Sequence, residues 1–303
     1  YEVHSGDWSS DVCSSDLVNM KPPRKRAGKR DWGTMAYDPE NDLIVDWNGG
    51  HSCYCSTDAP HYHLGTNRWE LPYPAEIPLG MVGASARAVS GYSFNGNHWI
   101  TNHTWDHYCY APQLKRILVA GSMSNWQWKF DPYSYIYNPL LGEWESRFRK
   151  TNGLEGVFPA QLSAQPTPHG TLLYSGRGNW WQLDAKAMKW MKFAKLSSKQ
   201  WPKNACSDWY CMTYDPIGDR ILATSMPMPR GAYNGKSIYA LDLKTKKTSV
   251  IHPKNPEVLG QGFRYNREWR WIPEHKILLC GGTLARRNKG NKKHRWTYLN
   301  DIP

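Results

Sequence analysis

A short pattern recurs five times along this chain, and its recurrence constrains the fold more than any other feature. In the first occurrence residues 32–37 lead into Asp38-Pro39, and an apolar run follows at Leu43-Ile44-Val45. Asn48-Gly49-Gly50 comes next, then Tyr62 and, seven residues on, Trp69. Proline fixes φ for a turn, and the Asp and Asn side chains that follow hydrogen-bond nearby backbone, so the flanking segments read as paired antiparallel strands. Gly49-Gly50 gives the backbone freedom for a sharp exit, and the Tyr62-to-Trp69 spacing returns two large rings on a third and a fourth strand. One unit is expected to be a four-stranded antiparallel sheet.

The turn returns as Tyr110-Ala111-Pro112, Thr167-Pro168-His169-Gly170, Tyr214-Asp215-Pro216 and Trp271-Ile272-Pro273. Each is followed by an apolar run, namely Ile117-Leu118-Val119, Leu172-Leu173-Tyr174, Ile221-Leu222-Ala223 and Ile277-Leu278-Leu279. Small residues recur after these runs as Gly121-Ser122, Ser175-Gly176, Thr224-Ser225 and Gly281-Gly282. The closing pair is matched by Tyr137 to Trp144, Leu183 to Trp190 and Leu241 to Thr248, always seven apart. Units start roughly 48 to 73 residues apart, the spacing of propeller blades with some long loops.

A strand, a double glycine, and then a Tyr and a Trp separated by six residues resemble the kelch family, over residues 31–303. Units three to five depart from that motif, because Gly-Gly is incomplete or the Tyr is replaced, and are kelch-like rather than strict repeats. The resemblance implies an all-β, kelch-like β-propeller of four-stranded antiparallel blades at approximately 31–90, 91–150, 151–195, 196–252 and 253–303. Kelch-type propellers usually have six or seven blades, so five visible units imply a ring that is incomplete at one or both ends. Such a fragment exposes unpaired strand edges and is expected to self-associate.

Residues 1–17 lack periodicity, and the stretch from Asp7 to Leu17 resembles a translated sequencing-adaptor peptide. It is expected to be artefactual or disordered and to stand outside the fold, together with Cys13. Residues 18–30 carry Lys21, Arg24, Lys25, Arg26, Lys29 and Arg30 around Pro22-Pro23, and read as a basic linker or the end of a preceding blade.

With 303 residues, 40% apolar and 14% aromatic, the chain can build a large core. No apolar run approaches the roughly 20 residues that span a bilayer. The net charge of +12 and the C-terminal cluster Arg286, Arg287, Lys289, Lys292, Lys293 and Arg295 favour an anionic partner. Nothing resembles a nucleic-acid-binding motif, so nucleic acid is not expected. An acidic or sulfated polysaccharide fits the mixture of basic and aromatic residues better.

Among 17 Trp and 18 Tyr residues, Trp69, Trp144 and Trp190 occupy repeat positions and are expected to pack between blades. Trp126, Trp128, Trp180 and Trp181 fall in or just after loops that follow the small-residue exits. They are the candidates for stacking on sugar faces.

The densest polar constellation runs from His51 through Cys53 and Cys55 to His61 and His63. Residues two apart on a strand face the same way, so Cys53 pairs with Cys55 and His61 with His63. Thiolates and imidazoles suit zinc or copper, although the spacing matches no structural zinc signature. Buried thiols and histidines on a blade are the simpler explanation, and no cofactor is assured. Cys206 and Cys211 are close enough to bridge across a turn, but the six cysteines other than Cys13 fix no compartment in a chain of this length. A periplasmic or secreted address is favoured over an intracellular one.

A second constellation contains His98, His103 and His107. In kelch propellers the loop entering the innermost strand and the loop after Gly-Gly open around the central channel. The resemblance therefore implies that Arg30, His51, His103, Arg177 and Arg267 gather near one mouth. Histidine can act as a general base near neutral pH, and arginine can hold a carboxylate or sulfate bidentately.

Three readings from different classes follow. The first is a noncatalytic propeller that binds a glycan or a protein, with an anionic polysaccharide preferred. The second is an enzyme on the same scaffold. A polysaccharide lyase would use His103 as base and Arg177 as the cation that stabilises the developing charge. A copper radical oxidase similar to galactose oxidase needs two Tyr, two His and a Cys-Tyr crosslink, a set that does not map residue by residue here. The third is an intracellular kelch-type scaffold, which ranks lowest because no partner domain is present.

Overall fold

Local turn chemistry organises the strands. The computed structural model describes residues 2–4, 35–47, 57–75, 104–121, 123–124, 129–130, 133–151, 153–154, 157, 162–197, 199–201, 212–224, 238–252, 263–272, 275, 277–284 and 293–299. Asp38 ends a strand and its Oδ1 accepts the backbone N–H of Glu40 at 3.0 Å. Asn138 does the same for Leu140 at 3.1 Å, and Asp215 for Ile217 at 3.0 Å. These Asx turns reverse the chain and set the register of the strands they join. Among the described residues, seven hairpins share a second device, a residue in the left-handed region just before the returning strand. Those residues are Asp42, Asn67, Lys115, Gly142, Met188, Asp219 and Lys246, with φ between 45° and 65°.

The first sheet contains β1 (Glu2–His4), β2 (Ala36–Asp38), β3 (Leu43–Val45), β4 (His61–His63) and β5 (Arg68–Glu70), in the order β1-β5-β4-β3-β2. Strands β2 to β5 are the expected four-stranded unit. Strand β1 is an addition from the opening stretch that the sequence reading places outside the fold. It pairs Val3 with Trp69 on the open edge of β5. An edge strand presents unpaired N–H and C=O groups that bind a further strand through backbone alone, so sequence pattern does not announce it.

The second sheet contains β6 (Tyr108–Ala111), β7 (Arg116–Val119), β10 (Tyr133–Asn138) and β11 (Glu143–Arg149). A ribbon of β8 (Met123–Ser124) and β9 (Lys129–Phe130) is inserted before β10. The third sheet is β12 (Ser163–Thr167), β13 (Gly170–Tyr174), β14 (Asn179–Asp184) and β15 (Lys189–Lys195). The fourth is β16 (Met212–Asp215), β17 (Arg220–Thr224), β18 (Ile238–Asp242) and β19 (Thr248–Ile251). The fifth has three strands among the described residues, β20 (Phe263–Ile272), β21 (Ile277–Leu284) and β22 (Lys293–Leu299). Five four-stranded units are expected from the repeats; the described residues form four. The fold is an all-β propeller of four-stranded antiparallel blades, four of them within the described residues. Among those residues no helix is long and apolar enough to cross a membrane.

The seven-residue spacing is a pairing register. Tyr62 faces Trp69, Tyr137 faces Trp144 and Leu241 faces Thr248. In the first two pairs the rings lie 5.1 Å and 5.0 Å apart.

The chain divides into two compact units. Residues 1–159 with 185–189 form one, and residues 160–184 with 190–303 form the other. In the first, strands β2 and β6 of neighbouring sheets lie side by side. Val45, Trp47, Tyr108, Ile117, Val119 and Tyr137 pack as its core, with Trp144 against it. Trp47 meets Trp144 with ring centroids 4.9 Å apart, so the repeat-position tryptophan packs between blades as expected. In the second, β12 and β16 are neighbours, and Tyr174, Trp180, Trp201, Ile221, Leu222 and Leu241 belong to its core.

Candidate functional site

Strand β4 carries the two histidines of the expected metal group. His61 is buried, and its Nε2 lies 2.9 Å from the hydroxyl oxygen of Tyr137 on β10. The rings meet at 75° with centroids 5.7 Å apart. Burial pushes the imidazole down to about 4, and nearby His63 adds to the effect. Burial also pushes the Tyr137 phenol up, with Tyr73 and Tyr108 contributing. Both groups are therefore neutral at neutral pH, and one hydrogen bond joins them. Either partner can donate, because the phenol has an O–H and the imidazole one N–H. His63 is half-buried, and its Nε2 lies 2.6 Å from Glu70 Oε2. Each histidine thus has a protein partner. Cys53 and Cys55 lie outside the described residues. Among the described residues no group of three or more His, Cys, Asp or Glu side chains could hold a metal ion.

Of the stacking candidates, Trp180 and Trp181 are described, and both are placed differently from a loop platform. Trp180 is 0% exposed, because β14 begins at Asn179 directly after a tight connection. Its ring meets Trp201 edge-on at 81° with centroids 5.6 Å apart, and Tyr174 lies 5.1 Å away. Protein rings cover it, so it offers no open face to a sugar. Trp181 is also buried, and its Nε1 donates to Ser175 Oγ at 2.9 Å. Trp126 and Trp128 lie outside the described residues.

Arg177 sits exposed at the tip of the connection from β13 to β14, with φ of 50°. Gly178 follows with φ of +77°, where an added Cβ would stand 2.1 Å from Leu196 O. The Leu196 N–H donates to Gly178 O at 2.8 Å, so this connection is fastened to the end of β15. His51 and His103 lie outside the described residues, as do Cys206 and Cys211. Arg267 lies within β20, and its side chain lies outside the described residues. Of the group expected at one mouth, Arg177 is described, while Arg30, His51, His103 and the Arg267 side chain lie outside the described residues.

A different group is brought together within the second unit. The turn between β18 and β19 carries Lys244, Lys246 and Lys247, and β15 carries Lys192 and Lys195, all exposed. Lys246 Nζ donates to the carbonyl of Phe193 at 3.0 Å and sits 4.6 Å from the centroid of its ring. One contact thus joins a turn of the fourth sheet to the outer strand of the third. Asp242 is the acid at this turn. The backbone N–H and side-chain hydroxyl of Thr245 donate to its Oδ1, at 2.6 Å and 2.7 Å. These bonds hold its carboxyl below the usual carboxylate range. The sequence signal is the lysine run itself, which the repeat pattern absorbs as the closing strand of a unit; contact with Phe193 requires the fold.

No family model matches the chain, and no curated protein matches it either. Solved structures resemble it at low identity. Hydrazine synthase from Kuenenia stuttgartiensis is 10% identical with a TM-score of 0.43, over 88% of this chain and 60% of that one. A chain of a mitotic checkpoint complex is 10% identical with a TM-score of 0.42, over 87% of this chain and 65% of that one. A luciferin-regenerating enzyme is 8% identical with a TM-score of 0.42, over 89% of this chain and 91% of that one. The chain spans less than two thirds of the length of the first two.

Proposed function

We propose that this chain is a kelch-like propeller that binds an anionic polysaccharide without transforming it. The observation that carries the reading is the balance of exposed charge. Lys115, Arg116 and Arg220 are taken up in ion pairs with Glu40, Glu145 and Asp215. Lys192, Lys195, Lys199 and Lys247 are exposed and form no ion pair with a described acid. With a net charge of +12, the chain attracts polyanions over a distance set by ionic strength. His61 on β4 is buried and engaged with Tyr137, which removes it as an accessible base.

Affinity electrophoresis tests this reading. Gels containing a sulfated or a uronate polysaccharide should retard the protein, and gels containing a neutral dextran should not. Equal migration in all three would refute it. Release of unsaturated oligosaccharides from the uronate polymer would replace it with the lyase reading.

A further inference from the structure

We propose that the β18–β19 turn and strand β15 form one docking surface for a linear sulfated or uronate polysaccharide. The proposal rests on the polyanion-binding reading and gives it an address. Its anchor is the bond from Lys246 Nζ to Phe193 O, at 3.0 Å. The same ammonium lies over the Phe193 ring, 4.6 Å from its centroid, which fixes the turn against the strand. Phe193 stands between Lys192 and Lys195 in the chain, and Lys246 stands between Lys244 and Lys247. That one contact therefore brings the lysine-bearing turn of one blade against the strand of its neighbour whose Phe193 face also carries Lys195. Met191, Phe193 and Lys195 share one face of β15 and span roughly 13 Å along it, given about 3.3 Å per strand residue. The surface is long in one direction and suits a chain with repeated charges better than a single small anion.

The chemistry of the surface selects among polyanions. The acid at the turn, Asp242, accepts two bonds from Thr245, and the lysines around it outnumber it. The cations are ammonium groups, which read charge density rather than the bidentate geometry that arginine recognises. Met191, on the same face of β15 as Phe193 and Lys195, is 47% exposed and adds apolar surface for sugar C–H groups. Single-stranded nucleic acid is bound largely by stacking bases on open aromatic faces. The aromatic ring at this surface, Phe193, has one face already covered by the Lys246 ammonium. That arrangement favours a polysaccharide.

Two charge-matched variants of the full chain test the address. The first is Lys195→Glu, Lys244→Glu and Lys247→Glu, which leaves Lys246 in place to hold the turn. The second is Arg286→Glu, Arg287→Glu and Lys289→Glu, in the C-terminal basic cluster. Both change net charge equally, and circular dichroism confirms that each is folded. Binding to heparin, as the sulfated probe, should weaken by about tenfold or more in the first variant and markedly less in the second. Equal loss in both would mean general charge attraction and would overturn the address. An unchanged first variant would overturn it too, while leaving the polyanion reading intact. A wild-type chain that ignores heparin would remove both. Binding of an oligodeoxythymidylate as tight as that of heparin would overturn the choice of polysaccharide.

Discussion

His61 and Tyr137 stand 76 residues apart in the chain and meet with the imidazole Nε2 2.9 Å from the phenol oxygen. They come from adjacent blades of the first unit, so this bond is a buried polar contact between them. Its energetics depend on pH. An imidazole pushed down to about 4 binds fewer protons in the folded chain than in the unfolded one, where the ordinary value is 6.5. The penalty is absent above pH of about 6.5 and grows as pH falls toward 4, reaching roughly 3 kcal/mol. Urea unfolding at pH 7 and pH 4.5 should show the wild type losing more stability than His61→Gln. Equal losses would contradict the assignment.

Tyr137→Phe removes the hydroxyl and leaves the buried imidazole nitrogen without that partner. The expected cost is about 1–3 kcal/mol at pH 7, read from the urea midpoint. A neutral result would mean that the bond contributes nothing net.

Asp215 and Arg220 give a second test. The Asp215 side chain is 1% exposed, and its Oδ2 accepts Arg220 Nε at 2.7 Å while Oδ1 caps the Pro216–Asp219 turn. Asp215→Ala breaks the pair and the cap together and should cost about 3–5 kcal/mol. Asp215→Asn keeps an acceptor for the turn and should cost less. Thermal unfolding ranks the two, and the reverse order would contradict this account of the turn.

Two backbone positions predict opposite signs. Gly178→Ala places a Cβ against Leu196 O at a φ of +77° and should destabilise by more than about 2 kcal/mol. Met188 holds a φ of 49° with a side chain that this region disfavours. Met188→Gly should stabilise by up to about 1 kcal/mol. Calorimetry of both variants checks the pair of signs.

The hairpins were legible in the sequence because their signals are local. Asp38-Pro39 and Asp215-Pro216 announce turns, and a partner seven residues away is what a short turn imposes on antiparallel strands. Inter-blade packing was legible only at repeat positions such as Trp144, and polar contacts between blades were not. Lys246 and Phe193 are 53 residues apart, and neither carries a mark that points to the other. Trp180 shows a second limit. It stands just after the connecting loop, as the sequence leads one to expect, but a tight glycine-containing connection starts β14 at Asn179 and carries the ring into the core instead of leaving it open for stacking. The edge strand β1 was invisible for a third reason, since its pairing with β5 uses backbone groups common to every residue.

The most direct test of the central claim is equilibrium binding of the wild-type chain to a sulfated polysaccharide over a salt series. Charge-driven recognition predicts that the logarithm of affinity falls steadily with the logarithm of salt concentration, as condensed counterions and screening compete with the exposed lysines. Affinity independent of salt, or equal affinity for a neutral polysaccharide throughout the series, would contradict it.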